Sequence, residues 1–394
     1  MVNTVPDLNK LKKILVLFNV EFLECLVREK KINSKKIDFG YDSEIEGLYA
    51  ESVYKTNTFS LGKNFSELVE NTKDKVGYDV VFSNPPYQSE DGGYGRSAGP
   101  IYNKIVEYVI DELKPHYISM INPSRWMAGG KGLNDYRARM LKDKRLRMIQ
   151  DFQGTSDVFA NVSIAGGVNY FLWDRDYDGL CEFNGIKRDI GEFDVLIRDN
   201  IAHQILKKVL SKATAFCNKK VLPSKPFGLR TFFNDWVPEG TPGAVKCYTT
   251  VRGGFEKWVK SDIFNDNHGI FSKWKVLTNA TTYEGSEFKG GKRRVFTKIF
   301  VVEKGSVCTE TYIVANFFNT KKEAENYSLY MKTKFYRFLL SLRVITQHIN
   351  RDKFSWVPDM GDYTRSYTDQ DLYQHFGLTR KEIDHIEKTI KTLD

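Results

Sequence analysis

The chain has 394 residues, 41% of them hydrophobic and 14% aromatic, enough for two or three domains with sizeable cores. No apolar run approaches the ~20 residues that span a bilayer, which excludes a helical membrane protein. The five cysteines (Cys25, Cys181, Cys217, Cys247, Cys308) are scattered without a CxxC pair, and the six histidines form no HExxH or HxH group. That pattern argues against a zinc site or a disulfide framework and for a reducing cytoplasm; residues 1–10 lack the form of a signal peptide.

In chain order, 11–18 (LKKILVLF) predicts a buried strand and 20–29 a short helix. Residues 36–41 predict a second strand ending at Asp42, and Ser43 is a candidate N-cap for a helix over 44–54. A short helix over 64–71 precedes the strand 78–82. After a Gly/Ser-rich stretch, 88–100, come a helix over 101–113, a strand over 116–121, a loop and a charged helix over 134–143. Strands over 147–152 and 168–173 follow without a long helix between them, which allows an antiparallel edge. Strands and helices alternating at this spacing imply an α/β fold with a doubly wound, mostly parallel sheet. After Asp178 the pattern changes. Residues 181–270 mix short strands, Gly/Pro turns and aromatics, 273–315 are β-rich, and 321–350 are helical. Two closing helices follow, the second capped by Thr379 with Glu382 three residues on. The expected division is a first domain over 1–178 and a mixed α+β domain over 179–394.

The strand 78–82 runs directly into Asn84-Pro85-Pro86-Tyr87. Two successive prolines fix φ and remove two backbone donors, so the carbonyls beside them are held without competing N–H groups. The Asn84 side-chain oxygen and the Pro85 carbonyl can then both accept from one planar exocyclic amine, while Tyr87 offers a flat ring to the base that carries it. The plain alternative is a stiff turn after a strand. Strand, turn, flexible loop and helix is the order found at the carboxyl edge of an open α/β sheet, where ligands bind.

Net charge is +9, and the excess is confined to one half. Residues 1–180 carry 24 Lys and Arg against 25 Asp and Glu; residues 181–394 carry 35 against 25. A basic second half beside a neutral first half suggests a grip on a polyanion, with the turn Lys292, Arg293, Arg294 as its densest local cluster. The alternative is a solvated basic surface.

The blocks FSNPPYQ, PIYNKIVEYVIDELKP, YISMINPSRWMAGGKGL and DVFANVSIAGGVNYFLW resemble the catalytic domain of the amino-methylating DNA methyltransferases of restriction-modification systems. The resemblance is to the adenine-N6, gamma-like group, in which the catalytic domain precedes the target-recognition domain. The C-terminal run TKFYRFLLSLRVITQHINRDKFSWVP resembles the end of proteins in that group. It implies methyl transfer from S-adenosyl-L-methionine to the N6 amine of a flipped adenine in double-stranded DNA, without a metal, and a restriction or second methyltransferase subunit as a candidate partner. By the same resemblance Asn84 and Pro85, in the Asn84–Tyr87 motif that includes Pro86, accept the amine. Tyr87 stacks on the base, Phe159 packs against it, and Asp42 binds the cofactor's ribose hydroxyls. Ordinary core packing remains an alternative for Phe159, and a helix-capping Asp/Ser pair for Asp42.

One departure stands out. The family's glycine-rich turn after the first strand here reads Phe18-Asn19-Val20-Glu21-Phe22, with no glycine. Asn19, which tolerates left-handed backbone angles, is expected to replace the glycine, with Glu21 receiving the cofactor's ammonium group. Three other readings stay open. Cytosine-N4 methylation uses the same acceptor geometry. A non-catalytic or partner-dependent DNA-binding subunit would keep the fold without the cofactor. A nuclease could use Glu287-Phe288-Lys289 with Asp262 or Asp266.

Overall fold

The computed structural model describes residues 1–89, 99–130, 132–154, 158–159, 164, 166–250, 255–282, 292–344 and 348–393. The described chain forms two compact units, Met1–Asn200 and Ile201–Asp394.

The first unit is built on one nine-stranded sheet. Its strands are β1 (Ile14–Leu17), β2 (Ile37–Tyr41), β3 (Asn57–Ser60), β4 (Val80–Ser83), β5 (Tyr117–Pro123), β6 (Leu146–Phe152), β7 (Val168–Asp174), β8 (Cys181–Phe183) and β9 (Ile186–Arg188). Their order is β3-β2-β1-β4-β5-β7-β6-β8-β9. Pairing is parallel from β3 through β5. Strand β7 then runs antiparallel between β5 and β6. The expected doubly wound, mostly parallel sheet is therefore present, and β6 and β7 pair antiparallel, as the lack of a predicted long helix between them allowed.

β1 and β4 are fully buried, and their Val/Ile/Leu/Phe content suits strands covered on both faces. One face carries α3 (Phe65–Thr72), α4 (Tyr102–Tyr108) and α5 (Asn134–Lys142), through Leu68, Ile105, Val106, Tyr136 and Met140. The other carries α1 (Val20–Glu24) and the π-helical turn after α2 (Glu44–Tyr49), through Leu23, Ala50 and Tyr54. β3 escapes sequence detection because Asn57-Thr58-Phe59-Ser60 is short, polar and largely exposed, as an edge strand can be.

The first unit extends to Asn200 rather than ending at Asp178. β8 and β9 continue its sheet, through the parallel register Met148↔Glu182 and Ile149↔Phe183. Both strands are three residues long, too short for a periodic signal.

The second unit begins one residue into α6 (Asn200–Lys212), a helix absent from the sequence expectation. It contains two three-stranded sheets. One joins β10 (Ala244–Tyr248), β11 (Glu256–Lys260) and β14 (Ser306–Cys308). The other joins β12 (Trp274–Asn279), β13 (Ile299–Val302) and β15 (Tyr312–Phe318). Helices α7 (Lys321–Lys332), α8 (Lys334–Ser341), α9 (Asp369–Phe376) and α10 (Arg380–Thr389) follow. The Thr379 and Glu382 capping box forms as expected at the start of α10.

Among the described residues no helix is long and apolar enough to cross a membrane, and no group of three or more His, Cys, Asp or Glu could hold a metal ion. Glu287, Phe288 and Lys289 lie outside the described residues. Asp266, one of their upstream candidates, caps a turn by accepting from the amides of Ile270 (2.8 Å) and Phe271 (2.9 Å).

Candidate active site at the carboxyl edge of the first sheet

Chain direction in the sheet reverses its spread between β1 and β4: from β1 the order runs outward to β2 and β3, from β4 outward to β5. Loops leaving the carboxyl ends of two such neighbours diverge and open a crevice. Here those loops carry Phe18-Asn19 and Asn84-Pro85-Pro86-Tyr87, because Leu17 pairs with Ser83 at the ends of β1 and β4.

A cavity of about 510 Å³ lies there, within the range of small-molecule sites. Asn19, Glu21, Asn84 and Phe159 all line it. These residues are distant in sequence and converge because β1, β4 and the β6–β7 connection end on one edge. Phe152 and Tyr170, which sequence reasoning missed, line it too, with ring centroids 6.0 Å apart. Their signal was available: both sit on strands the pattern identified, and alternation alone places each on one face of its strand.

The Asn84 side chain is half-buried, and its Oδ1 accepts the Tyr87 hydroxyl at 3.0 Å. An amide oxygen has two lone pairs, so this contact leaves capacity for a second donor. Burial pushes the Tyr87 hydroxyl up to about 12, which keeps it neutral and a donor at neutral pH. The root of the loop beyond it is closed by Ser89 N–H donating to Gly99 (3.0 Å) and Ile101 N–H donating to Tyr87 (3.3 Å). Pro85 is buried and Pro86 exposed.

The turn after β1 differs from expectation in one respect. Asn19 does not take the left-handed conformation; its φ is −150°, and it is the N-cap of α1, its side chain accepting from Phe22 N–H at 3.0 Å. Phe18 takes that conformation instead, with φ +64°. A bend of the kind a glycine makes is thus present, one residue earlier and on a residue for which it is sterically strained. Asn19 is occupied by capping, for which Asn is a preferred type. Glu21 lies exposed in the first turn of α1.

Asp42 is exposed directly after β2 and does not line the cavity. Ser43 is the N-cap of α2 without a side-chain cap bond. Asp42 and Glu21 are linked through a third carboxylate, Glu46. Burial pushes the Glu46 carboxyl up, and the negative charges of Asp42 and Glu21 add to the effect. Three carboxylates near the ends of β1 and β2 form a locally negative rim. Glu46 was missed from the sequence; it stands four residues after Asp42, in the first turn of the helix that Ser43 begins.

Behind the cavity a buried network holds the root of the Phe159 segment. Arg198 grips the fully buried Asp151 of β6 bidentately, Nε to Oδ2 and Nη2 to Oδ1, both at 2.8 Å. Its third N–H group donates to Gly166 O at 2.7 Å. Ser124 Oγ donates to Asp151 Oδ1 at 2.6 Å. The ends of β5 and β6 and the start of β7 are thereby tied together.

Residues 8–159 match the Eco57I restriction-modification methylase family. The matched segment contains the β1 turn, the Asn84–Tyr87 turn and Phe159, and it coincides with most of the stretch whose motifs resemble amino-methyltransferases. A relative from Mycoplasma pneumoniae (strain ATCC 29342 / M129 / Subtype 1), described as an uncharacterized adenine-specific methylase, is 35% identical over 110 residues. Those residues are 27% of this chain and 26% of that protein, so the match spans about a quarter of the relative's length. Two solved structures overlap more loosely. The methyltransferase subunit of the type I restriction-modification system from Streptococcus thermophilus is 13% identical over 52% of this chain and 48% of that one, with a TM-score of 0.34. The type IIL restriction-modification enzyme MmeI in complex with DNA is 10% identical over 97% of this chain and 71% of that one, with a TM-score of 0.43.

In the second unit, the three basic residues expected at a DNA surface are not equivalent. Lys292 and Arg294 are exposed. Arg293 is half-buried and structural: its guanidinium donates to Ser341 O at 3.0 Å, and its backbone bonds to Thr389 and Lys391. Four further cations of the second unit separate likewise. Lys332 is exposed, Lys334 pairs with Glu387, and Arg343 stacks over Trp356 at 4.4 Å. Arg337 is only 1% exposed and donates to the carbonyls of Lys332, Thr333, Arg294 and Lys391, so it cannot reach a phosphate.

Proposed function

We propose that this chain is a site-specific DNA adenine-N6 methyltransferase using S-adenosyl-L-methionine. The observation that carries the reading is the Asn84 acceptor turn opening onto a cavity shared with Glu21 and Phe159, inside a segment that matches a methylase family. The cavity suits the cofactor in size, and Glu21 in its lining suits a ligand bearing an ammonium group.

The adenine amine is a poor nucleophile because its lone pair is delocalised into the ring. Asn84 Oδ1 and the Pro85 carbonyl accept its two N–H bonds and turn the lone pair toward the methyl donor. Tyr87 stacks on one face of the flipped base and Phe159 packs against it. Glu21 receives the ammonium group, and Asp42 with Glu46 the hydroxyls. The cofactor's sulfonium supplies the methyl group and a good leaving group. Positioning of this kind can be worth roughly 7–11 kcal/mol. Flipping the base costs a few kcal/mol, offset by binding of the DNA phosphates.

The second unit supplies that phosphate grip. With the division at Asn200, its charge is more lopsided than the sequence boundary implied: 32 Lys and Arg against 20 Asp and Glu, where the first unit has 27 against 30. Replacing Lys292 and Arg294 together by alanine is expected to flatten the salt dependence of DNA binding by about one unit of slope for each phosphate no longer neutralised. An unchanged slope would place the grip elsewhere, with Lys332 next. Arg293 is excluded from the variant because its removal would unseat the α8 carbonyl it holds.

Glu21→Gln is expected to weaken cofactor binding by on the order of tenfold, the worth of one charge-assisted hydrogen bond. Asp42→Ala should weaken it as well, with DNA affinity unchanged in both. Calorimetry with the wild type as reference checks this; equal affinities would return Glu21 and Asp42 to the role of solvated helix-start acids.

The reading as a whole is tested by sequencing modified bases in DNA from cells expressing the protein. N6-methyladenine in one fixed sequence context is the expected result, and N4-methylcytosine would select the cytosine alternative. No modified base, together with no heat on titration with S-adenosyl-L-methionine, would leave a partner-dependent DNA-binding subunit. The five free cysteines, four of them buried, fit a reducing cytoplasm, and a restriction subunit is the partner to seek.

A further inference from the structure

Phe232 is the most exposed large apolar side chain among the described residues of the second unit, at 73%. It stands on a turn that is otherwise tied down. On one side of the turn, Thr231 N–H donates to Glu310 Oε1 (3.0 Å), and Glu310 N–H donates to Leu229 O (3.0 Å). On the other side, Phe233 and Trp236 pack edge to face at 4.7 Å against the β-sheet core, and Val237 N–H donates to Trp258 O at 2.9 Å. A pinned turn that buries one phenylalanine partly and projects its neighbour into water is not accounted for by packing.

Two cations lie on rings of this turn, alongside the Glu310 carboxylate that holds Thr231. The Arg230 guanidinium lies 5.6 Å from the Phe232 ring centroid, and Lys257 lies 5.0 Å from the Trp236 ring. The unit carries an excess of twelve positive charges. A protein partner is a poor fit, since a stable interface needs about 800 Å² per side around an apolar centre, far more than one ring presents. A ring of this size flanked by a guanidinium matches a nucleobase with its phosphate.

We propose that Phe232 is a stacking wedge for duplex DNA, its ring entering a disrupted base step while Arg230 contacts the adjacent phosphate. The proposal rests on the DNA-directed reading above. It assigns a role to a residue that neither the acceptor turn nor the basic turn explains.

The test uses the full chain and two fluorescent duplexes of one random sequence, one intact and one with a single abasic site that opens the stack. Wild type is expected to bind the abasic duplex about tenfold more tightly, in the range of one stacked base. Phe232→Ala should abolish that preference and Phe232→Trp should keep it. Arg230→Ala should keep the preference while lowering the salt slope by about one. Equal preference in wild type and Phe232→Ala would overturn the wedge, as would a uniform fall in affinity for both duplexes. Failure of the wild type to bind either duplex would instead overturn the DNA reading. A thermal melt of each variant, expected to match wild type for so exposed a position, confirms that the comparison is between folded proteins.

Discussion

Asn84→Ala is expected to lower methyl transfer to DNA by about 10²–10³-fold, as removal of one acceptor or donor aimed at a reacting group does elsewhere. The fold should persist. Asn84 is half-buried on a turn, and the partner it abandons, the Tyr87 hydroxyl, can turn to water. Tyr87→Phe is the informative companion. It deletes the 3.0 Å bond to Asn84 but keeps the ring, so a reduction well under tenfold is expected if stacking is the ring's role. Incorporation of labelled methyl groups into DNA measures both. Turnover of Asn84→Ala within a few-fold of wild type would remove the Asn84–Tyr87 turn from the chemistry altogether.

Arg198→Ala is expected to be the most damaging single change for the first unit, at roughly 3–5 kcal/mol. The Asp151 side chain is wholly buried, and Arg198 supplies its only countercharge among the described residues. Removing the arginine leaves a carboxylate in the interior with the Ser124 hydroxyl as its remaining side-chain donor. It also frees Gly166 O at the root of the segment that carries Phe159. Amide exchange in β5, β6 and β7 reads the effect locally and avoids assuming that the two units unfold together. Removing both partners, Asp151→Ala with Arg198→Ala, should recover part of the stability, because an empty site costs less than an unpaired charge. Exchange in Arg198→Ala indistinguishable from wild type would show that the pair is not what holds the loop root.

Much of the first unit was legible in the chain because its strands are buried. A run such as Val80-Val81-Phe82 has few alternatives to a central strand, and the turn that follows is defined by residue types with narrow chemistry. The Thr379 and Glu382 cap could be read for the same reason: its bonds are local, between residues three apart. The resemblance to amino-methyltransferases was carried by such local blocks, and the family match falls on the same stretch.

What local pattern could not supply was decided by long-range packing. Phe18 rather than Asn19 adopts left-handed angles because Asn19 is committed to capping α1, while Phe18 N–H reaches across to Gly40 O at 3.0 Å. β8 joins the sheet because Met148 and Ile149 are there to pair with it, and β9 joins it only through β8. Arg293 looked like surface charge in a basic run, yet packing turned it, like Arg337, inward onto backbone carbonyls. Glu46 gained its place in the negative rim because β1 and β2 lie side by side in the sheet. The amino-acid sequence by itself determined the sheet's buried strands and the acceptor turn, since burial and proline geometry are properties of a few consecutive residues. Which side chains meet at the cavity, and which cations stay exposed, only the tertiary structure decided, since both depend on residues far apart in the chain.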